Sequence, residues 1–257
     1  MIHPGARVDP STIVGDHCII EDDVVIGPNN RLEPFVVIKR YTTLGEGNHL
    51  FAGAQLGIDP FDKKFREEHP SYLRIGNRNS IREFVTISRG TQPESVTELG
   101  DDNYIMSNVH VAHNCKLGSS ITIGPSTSLG GHSEIEDHAF LSAGVGVHQF
   151  NRVGRLCMVA ANTRVAQDAP PYFLVSEFNC TAHSLNVVGL RRAGFSRDAV
   201  SALKQAFRLL YRSGLPRKEA LVQMEMLGTV EVLHLVEFIR TSKRGICGAI
   251  AKPVAEE

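Results

Sequence analysis

Cysteine is scarce, five in 257 residues, which excludes a disulfide framework and leaves small buried thiols as the ordinary reading. No stretch approaches 18 consecutive apolar residues, so no transmembrane helix and no stable membrane insertion is expected. The opening MIHPGARVDPS has neither a basic n-region nor an apolar h-region, so a signal peptide is not expected and a cytoplasmic protein is the default. Charge of one sign is also lacking. Lys and Arg number 27 against 28 Asp and Glu, a net charge of −1, which argues against a generic nucleic-acid partner. No P-loop, GxGxxG or GxSxG motif stands in a fitting context. What is present, 42% hydrophobic residues with 21% charged, is the composition of a folded chain.

A six-residue period dominates. From Ile2 it runs through Val8, Val14, Ile20, Ile26, Leu32, Ile38, Leu44, Leu50 and Leu56. A polar segment, DPFDKKFREEHPSY, interrupts it before Ile75, Ile81 and Ile87, and GTQPESVTE interrupts it again. From Leu99 it holds through Ile105, Val111, Leu117, Ile123, Leu129, Ile135, Leu141, Val147, Val153, Val159 and Val165. Six is the period of neither a helix nor a simple strand. It fits short strands joined by corners, each giving one inward aliphatic, with three hexads making an 18-residue triangular turn. Cys18, Cys115 and Cys157 fall on inward positions of this repeat. The pattern resembles the hexapeptide-repeat proteins. That resemblance implies a mainly β fold, a left-handed parallel β-helix that forms a homotrimer.

The hexads stop after Pro170-Pro171 and a helical period follows. Ser196 is the expected N-cap of a helix over about 197–213; Pro216 opens a second to about Leu227, and Val230–Lys243 reads as a third. The expected domains are therefore a β-helix over 1–185, with loops near 58–72 and 91–98, and a small helical domain over 186–257. The tail AKPVAEE is expected to fray.

Histidine carries the chemistry. His110, His113, His132, His138 and His148 lie in the long array, and one 18-residue coil brings His113 beside Gly131-His132. Such a strip serves acid–base work; surface histidines without a role are the plain alternative. Zinc is a further alternative, since gamma-class carbonic anhydrases on this repeat use three histidines, two of them five apart. No pair in this array has that spacing, so no metal is expected. Arg197, Lys204, Arg208 and Arg212 are spaced for one helical face, and Arg191 to Lys218 holds eight basic residues and one acid. So one-sided a stripe points to an anionic partner.

Longer segments narrow the reading: IGNRNSIREFVTISRGT, HVAHNCKLG, LGGHSEIEDHAFLSAGVGVHQF, VAQDAPPY and NVVGLRRAGFSRDAV. Over essentially the whole chain they resemble the UDP-N-acetylglucosamine O-acyltransferases of lipid A synthesis. The resemblance implies transfer of an (R)-3-hydroxyacyl group from acyl carrier protein to the glucosamine 3-position, without cofactor, at sites between subunits. On that template His113 is the general base and the Gly131 N–H holds the oxyanion. Asp62, Lys64, His110, His132, His148 and Gln149 contact sugar, phosphate or acyl chain, and Asn186 and Arg192 the nucleotide end. Ala161 and Asn179 occupy the positions that measure acyl-chain length, and the Arg197, Lys204, Arg208, Arg212 stripe docks the acidic carrier protein. Asn114 stands where an Asp follows the base in well-known members. Phe61 stands where a Gln often precedes the sugar-contacting Asp, which leaves a 3-hydroxyl or a 3-amino acceptor open. Acyl-CoA as donor, on another hexapeptide acyltransferase, is the remaining enzyme alternative, and a purely structural or binding solenoid the non-enzyme one.

Overall fold

The structure is a computed structural model that describes residues 1–249; the AKPVAEE tail lies outside the described residues. Short strands, most of two residues, assort into three sheets of eight, ten and eight strands, and from Arg7–Val8 to Arg164–Val165 paired strands lie three apart along the chain. The first sheet climbs from Arg7–Val8 to Arg152–Val153 and the third from Ile19–Ile20 to Arg164–Val165. The second climbs from Ile13–Val14 to Met158–Val159 and adds Phe173–Ser176 and then the antiparallel Thr181–Leu185. A three-sided prism results, whose backbone groups are satisfied from coil to coil.

The hexad builds this prism residue by residue. The period-six aliphatics are inside: Leu32, Ile38, Leu50, Leu56, Ile81, Ile105, Ile123, Leu129, Leu141 and Val159 are all at most 1% exposed. Each such side chain contributes about 1.5–3 kcal/mol of burial. Three residues beyond most of these aliphatics the chain turns with positive φ, at His17, Asp23, Asn29, Phe35 and Tyr41, and again at Asn108, Asn114, Ser120, Ser126, His132 and His138. Asn, Asp and His tolerate that left-handed corner better than most L-residues. The residue just before the corner residue lies where the regular ladder makes no use of an N–H, and Pro4, Pro10, Pro28, Pro34 and Pro125 occupy it.

The two interruptions are insertions at one edge of the prism. Ser11 and Asn29, one regular coil apart, are 18 residues apart. Glu46 meets Asn77 at a separation of 31, and Asn77 meets Asp101 at 24. Against 18, the first insertion exceeds two hexads by one residue and shifts the phase, whereas the second equals one hexad and leaves Leu99 in phase with Ile87. At another edge Asn30, Asn48, Asn79 and Asn103, all buried, form a ladder in which the first three side-chain oxygens accept from the next asparagine and that of Asn103 accepts from the Ile121 N–H. Each polar group in that ladder is thereby paired, as burial requires.

Four helices follow: α1 (Val187–Arg192), α2 (Arg197–Arg212), α3 (Arg217–Glu225) and α4 (Val230–Arg240). Ser196 caps α2 through the Ala199 N–H, as its sequence position indicates, and Thr229 caps α4. The short α1, capped by Asn186, has no counterpart in the sequence reading. Leu203, Ala206 and Phe207 of α2 and Leu235, Val236 and Phe238 of α4 are buried, and the Phe207 ring meets Phe173 edge-on at 5.1 Å. Buried Asp168 ties the coil to the helical end, accepting from Arg152 Nε at 3.2 Å and Ser242 Oγ at 2.7 Å. Among the described residues no helix is long and apolar enough to cross a membrane. All five cysteines are free and buried.

Candidate active site

His113 follows a strand of the third sheet (His110–Val111) and precedes one of the first (Lys116–Leu117), so it stands at the third–first edge. Its coil neighbour there is Gly131; the next N–H along, on His132, donates to the His113 carbonyl at 3.0 Å. Asn114 orients the imidazole. Its Oδ1 accepts from the Thr91 N–H at 3.1 Å and Thr91 Oγ1 at 3.0 Å, and lies 2.9 Å from His113 Nδ1. Because the Thr91 backbone can only donate, that oxygen is an acceptor, and Nδ1 carries the proton. Nε2 is then the basic nitrogen, with no hydrogen-bond partner among the described residues.

Gly131 sits directly against it. A β-carbon there would lie 2.7 Å from Nε2 and 2.6 Å from Cε1 of His113, so only glycine leaves the ring in place. Gly131 occupies the same pre-corner position as the prolines, and its N–H reaches no acceptor among the described residues. A basic nitrogen and a free backbone donor thus flank one point of the edge.

Aromatic rings close around this pair. His132 meets His113 edge-on at 5.4 Å and stacks on Phe150 at 4.7 Å, while His110 stacks under Phe61 at 5.1 Å and 13°. His110 Nδ1 is also 2.8 Å from Thr86 Oγ1. Burial, and then the neighbouring His113, hold both His110 and His132 below the ordinary imidazole value. Phe61 is 81% exposed and belongs to the first inserted loop, which it lays over His110. On that loop Asp62 accepts from the Lys64 N–H at 2.9 Å and Lys64 is exposed.

The remaining residues divide between edges. Gln149 and His148 belong to the His113 edge, with His148 Nδ1 3.4 Å from Arg244 Nη2. A cleft of about 640 Å³ there is lined by His132, Phe150, Arg152, Asp168, Lys243 and Arg244. Asn186 and Arg192 line a different cleft, of about 700 Å³, at the first–second edge with His138, Phe140 and Arg155. Asn186 already spends its side chain on Gly189 N and the Leu156 carbonyl. Ala161 and Asn179, both exposed, follow the paired strands at Val159 and Val175, at the second–third edge. Along α2, Arg197, Lys204 and Arg208 are exposed, and Arg208 and Arg212 line a recess beside Phe207. No group of three His, Cys, Asp or Glu is placed to hold a metal among the described residues. Thr91, Phe150 and Arg244 are absent from the sequence reading; Phe150, 18 residues beyond His132, was reachable by the coil length alone.

The triangular coil of six-residue repeats defines the class of hexapeptide-repeat proteins, and an imidazole nitrogen beside a glycine is a pair that acyl transfer can use. Relatives narrow it further. Acyl-(acyl-carrier-protein)–UDP-N-acetylglucosamine O-acyltransferase of Burkholderia orbicola is 43% identical over 253 residues, 96% of this chain and 96% of that protein. The protein of the same name from Thermodesulfovibrio yellowstonii is 40% identical, again over 96% of each. The crystal structure of UDP-N-acetylglucosamine acyltransferase from Francisella novicida matches with a TM-score of 0.94 at 37% identity, covering 96% of this chain and 92% of that one. A family model described as UDP N-acetylglucosamine O-acyltransferase, domain 2, matches residues 168–247. The chain belongs to the UDP-N-acetylglucosamine O-acyltransferase family.

Proposed function

We propose that this protein transfers an (R)-3-hydroxyacyl group from acyl carrier protein to the 3-position of UDP-N-acetylglucosamine, the first step of lipid A synthesis, in the cytoplasm. The observation that carries the reading is His113 Nε2, unpartnered and oriented through Asn114, beside the free N–H of Gly131. Nε2 takes the proton of the 3-hydroxyl as its oxygen attacks the thioester carbonyl. The tetrahedral oxyanion accepts the Gly131 N–H, a donor typically worth about 3–4 kcal/mol in such a site. Collapse breaks the C–S bond, and the imidazolium returns the proton to the departing thiolate. No covalent intermediate and no cofactor is needed.

The same reading assigns Asp62 and Lys64 to the sugar and phosphate, His110, His132, His148 and Gln149 to sugar and acyl chain, and Ala161 and Asn179 to chain length. These residues and the nucleotide-end pair, Asn186 and Arg192, stand on three different edges. One prism cannot bring its own edges together, whereas three copies about a threefold axis set the edge of one against a neighbour. A homotrimer with a left-handed coil, as the family resemblance implies, is therefore part of the proposal. The exposed α2 stripe of Arg197, Lys204 and Arg208, continued by Arg212, docks the acidic carrier protein.

Mass spectrometry of reactions offering UDP-N-acetylglucosamine or its 3-amino analogue with 3-hydroxyacyl carrier proteins of several chain lengths, or the matching acyl-CoA, tests this. The expected product is an O-acylated nucleotide formed from the carrier protein. Preference for acyl-CoA or for the amino sugar would replace donor or acceptor accordingly, and no product from any pair would overturn the reading.

A further inference from the structure

Arg89 is the largest fully buried side chain among the described residues, 1% exposed, and the acyl-transfer steps make no use of it. It follows Ile87, which pairs with Val111, so it holds the same corner position as His113 one coil below. Its Nη2 lies 3.0 Å from Asp59 Oδ1, and its guanidinium carbon stands 5.3 Å from the Tyr41 ring and 5.0 Å from the Phe65 ring. Nε and Nη1 have no hydrogen-bond partner among the described residues. One carboxylate and two aromatic faces therefore compensate a buried charge, and two of those three groups, Asp59 and Phe65, belong to the first inserted loop.

Elsewhere the loop meets the coil through the Phe61 stack on His110 and the Pro70 carbonyl, which accepts from the Glu94 N–H. Phe61, Lys63, Lys64 and residues 66–69 are exposed. Two residues beyond Arg89, Thr91 supplies the two donors that fix Asn114 and hence His113. One short segment thus grips the loop on one side and the base on the other.

We infer that Arg89 is a positioning residue that clamps the 59–70 loop over the acceptor side of the site, so that Asp62, Lys64 and Phe61 are held in place before the nucleotide arrives. The planar guanidinium is suited to this, because it pairs with Asp59 through its edge and meets rings with its faces; a lysine offers one point charge. Assigning the loop to the acceptor rests on the acyl-transfer reading, whereas the clamp itself rests on geometry.

Two measurements on the full-length protein separate these. The first is limited trypsin digestion, for which exposed Lys63, Lys64 and Arg66 supply cleavage sites within the loop. Loss of a charge-assisted contact predicts cleavage in the loop about tenfold faster in Arg89→Gln and Asp59→Asn than in the parent, with cleavage elsewhere unchanged and Arg89→Lys intermediate. The second is steady-state kinetics, in which the KM for UDP-N-acetylglucosamine rises by about tenfold while kcat and the KM for the carrier protein move less than about threefold. If Arg89→Gln does not fold, Asp59→Asn and Phe65→Leu test the same clamp from the loop side. Parental cleavage and parental nucleotide KM in these variants would overturn the inference, as would an equal loss in every kinetic constant together with a lower melting temperature. Absence of turnover in the parent would instead defeat the acyl-transfer reading and leave the proteolysis to decide the clamp.

Discussion

A β-carbon built on Gly131 would stand 2.7 Å from Nε2 of His113, closer than any real pair of such atoms. The ring is held at Nδ1 by Asn114, so an added β-carbon at Gly131 displaces the Nε2 side. Gly131→Ala keeps that N–H and removes the geometry. It should fold and melt like the parent while kcat falls by about 10² or more, the cost of a misplaced base. Parental kcat in this variant would show that the two groups do not act together.

Asn114 gives a second prediction. Asn114→Ala removes the acceptor that holds Nδ1, freeing the ring to rotate, and kcat should fall by about 10². Asn114→Asp restores the acceptor and adds a negative charge, which favours the imidazolium. Its kcat should recover, with the acid limb of the pH–rate profile moved to higher pH. An unmoved limb would mean that another group controls it.

The acidic limb of stability follows from His110 and His132. Burial and the adjacent His113 lower both from the ordinary value of 6.5, so the native state binds fewer protons than the unfolded chain below that pH. Their contribution is fully present above pH 6.5 and is lost as pH falls through the lower folded values. The melting temperature of the parent should drop from pH 7.5 to pH 5 more than that of His132→Asn. Parallel curves would refute the assignment.

Reversing Lys204 and Arg208 to Glu tests the α2 stripe. The KM for acyl carrier protein should rise by about tenfold or more, increasingly at low ionic strength, with the KM for the nucleotide unchanged. Equal effects on both substrates would remove α2 from carrier docking.

The coil was legible because one inward position in six must be aliphatic, and Ile105, Val111 and Leu117 show that rule with no tertiary information. The coil length also placed Gly131 opposite His113. Other features depend on contacts that no period encodes. The break between Leu56 and Ile75 reads as an interruption with a loop near 58–72, and the structure resumes the same prism there one residue out of phase. The α1 helix is six residues long, too short for a helical period to register. Thr91 reaches Asn114, and Phe61 reaches His110, across loops whose path is set by three-dimensional closure rather than by spacing. The burial of Arg89 depends on the inserted loop that covers it, and no spacing in the sequence reports that contact.

The assignment of His113 as the base in direct acyl transfer to the nucleotide is a proposal that one experiment decides. Its most direct test is product detection by mass spectrometry for the parent and His113→Ala side by side, with oligomer size and melting temperature measured on the same samples. The expected result is a nucleotide bearing one added 3-hydroxyacyl group from the parent and none from His113→Ala, with size and melting unchanged. Comparable product from His113→Ala would contradict the account.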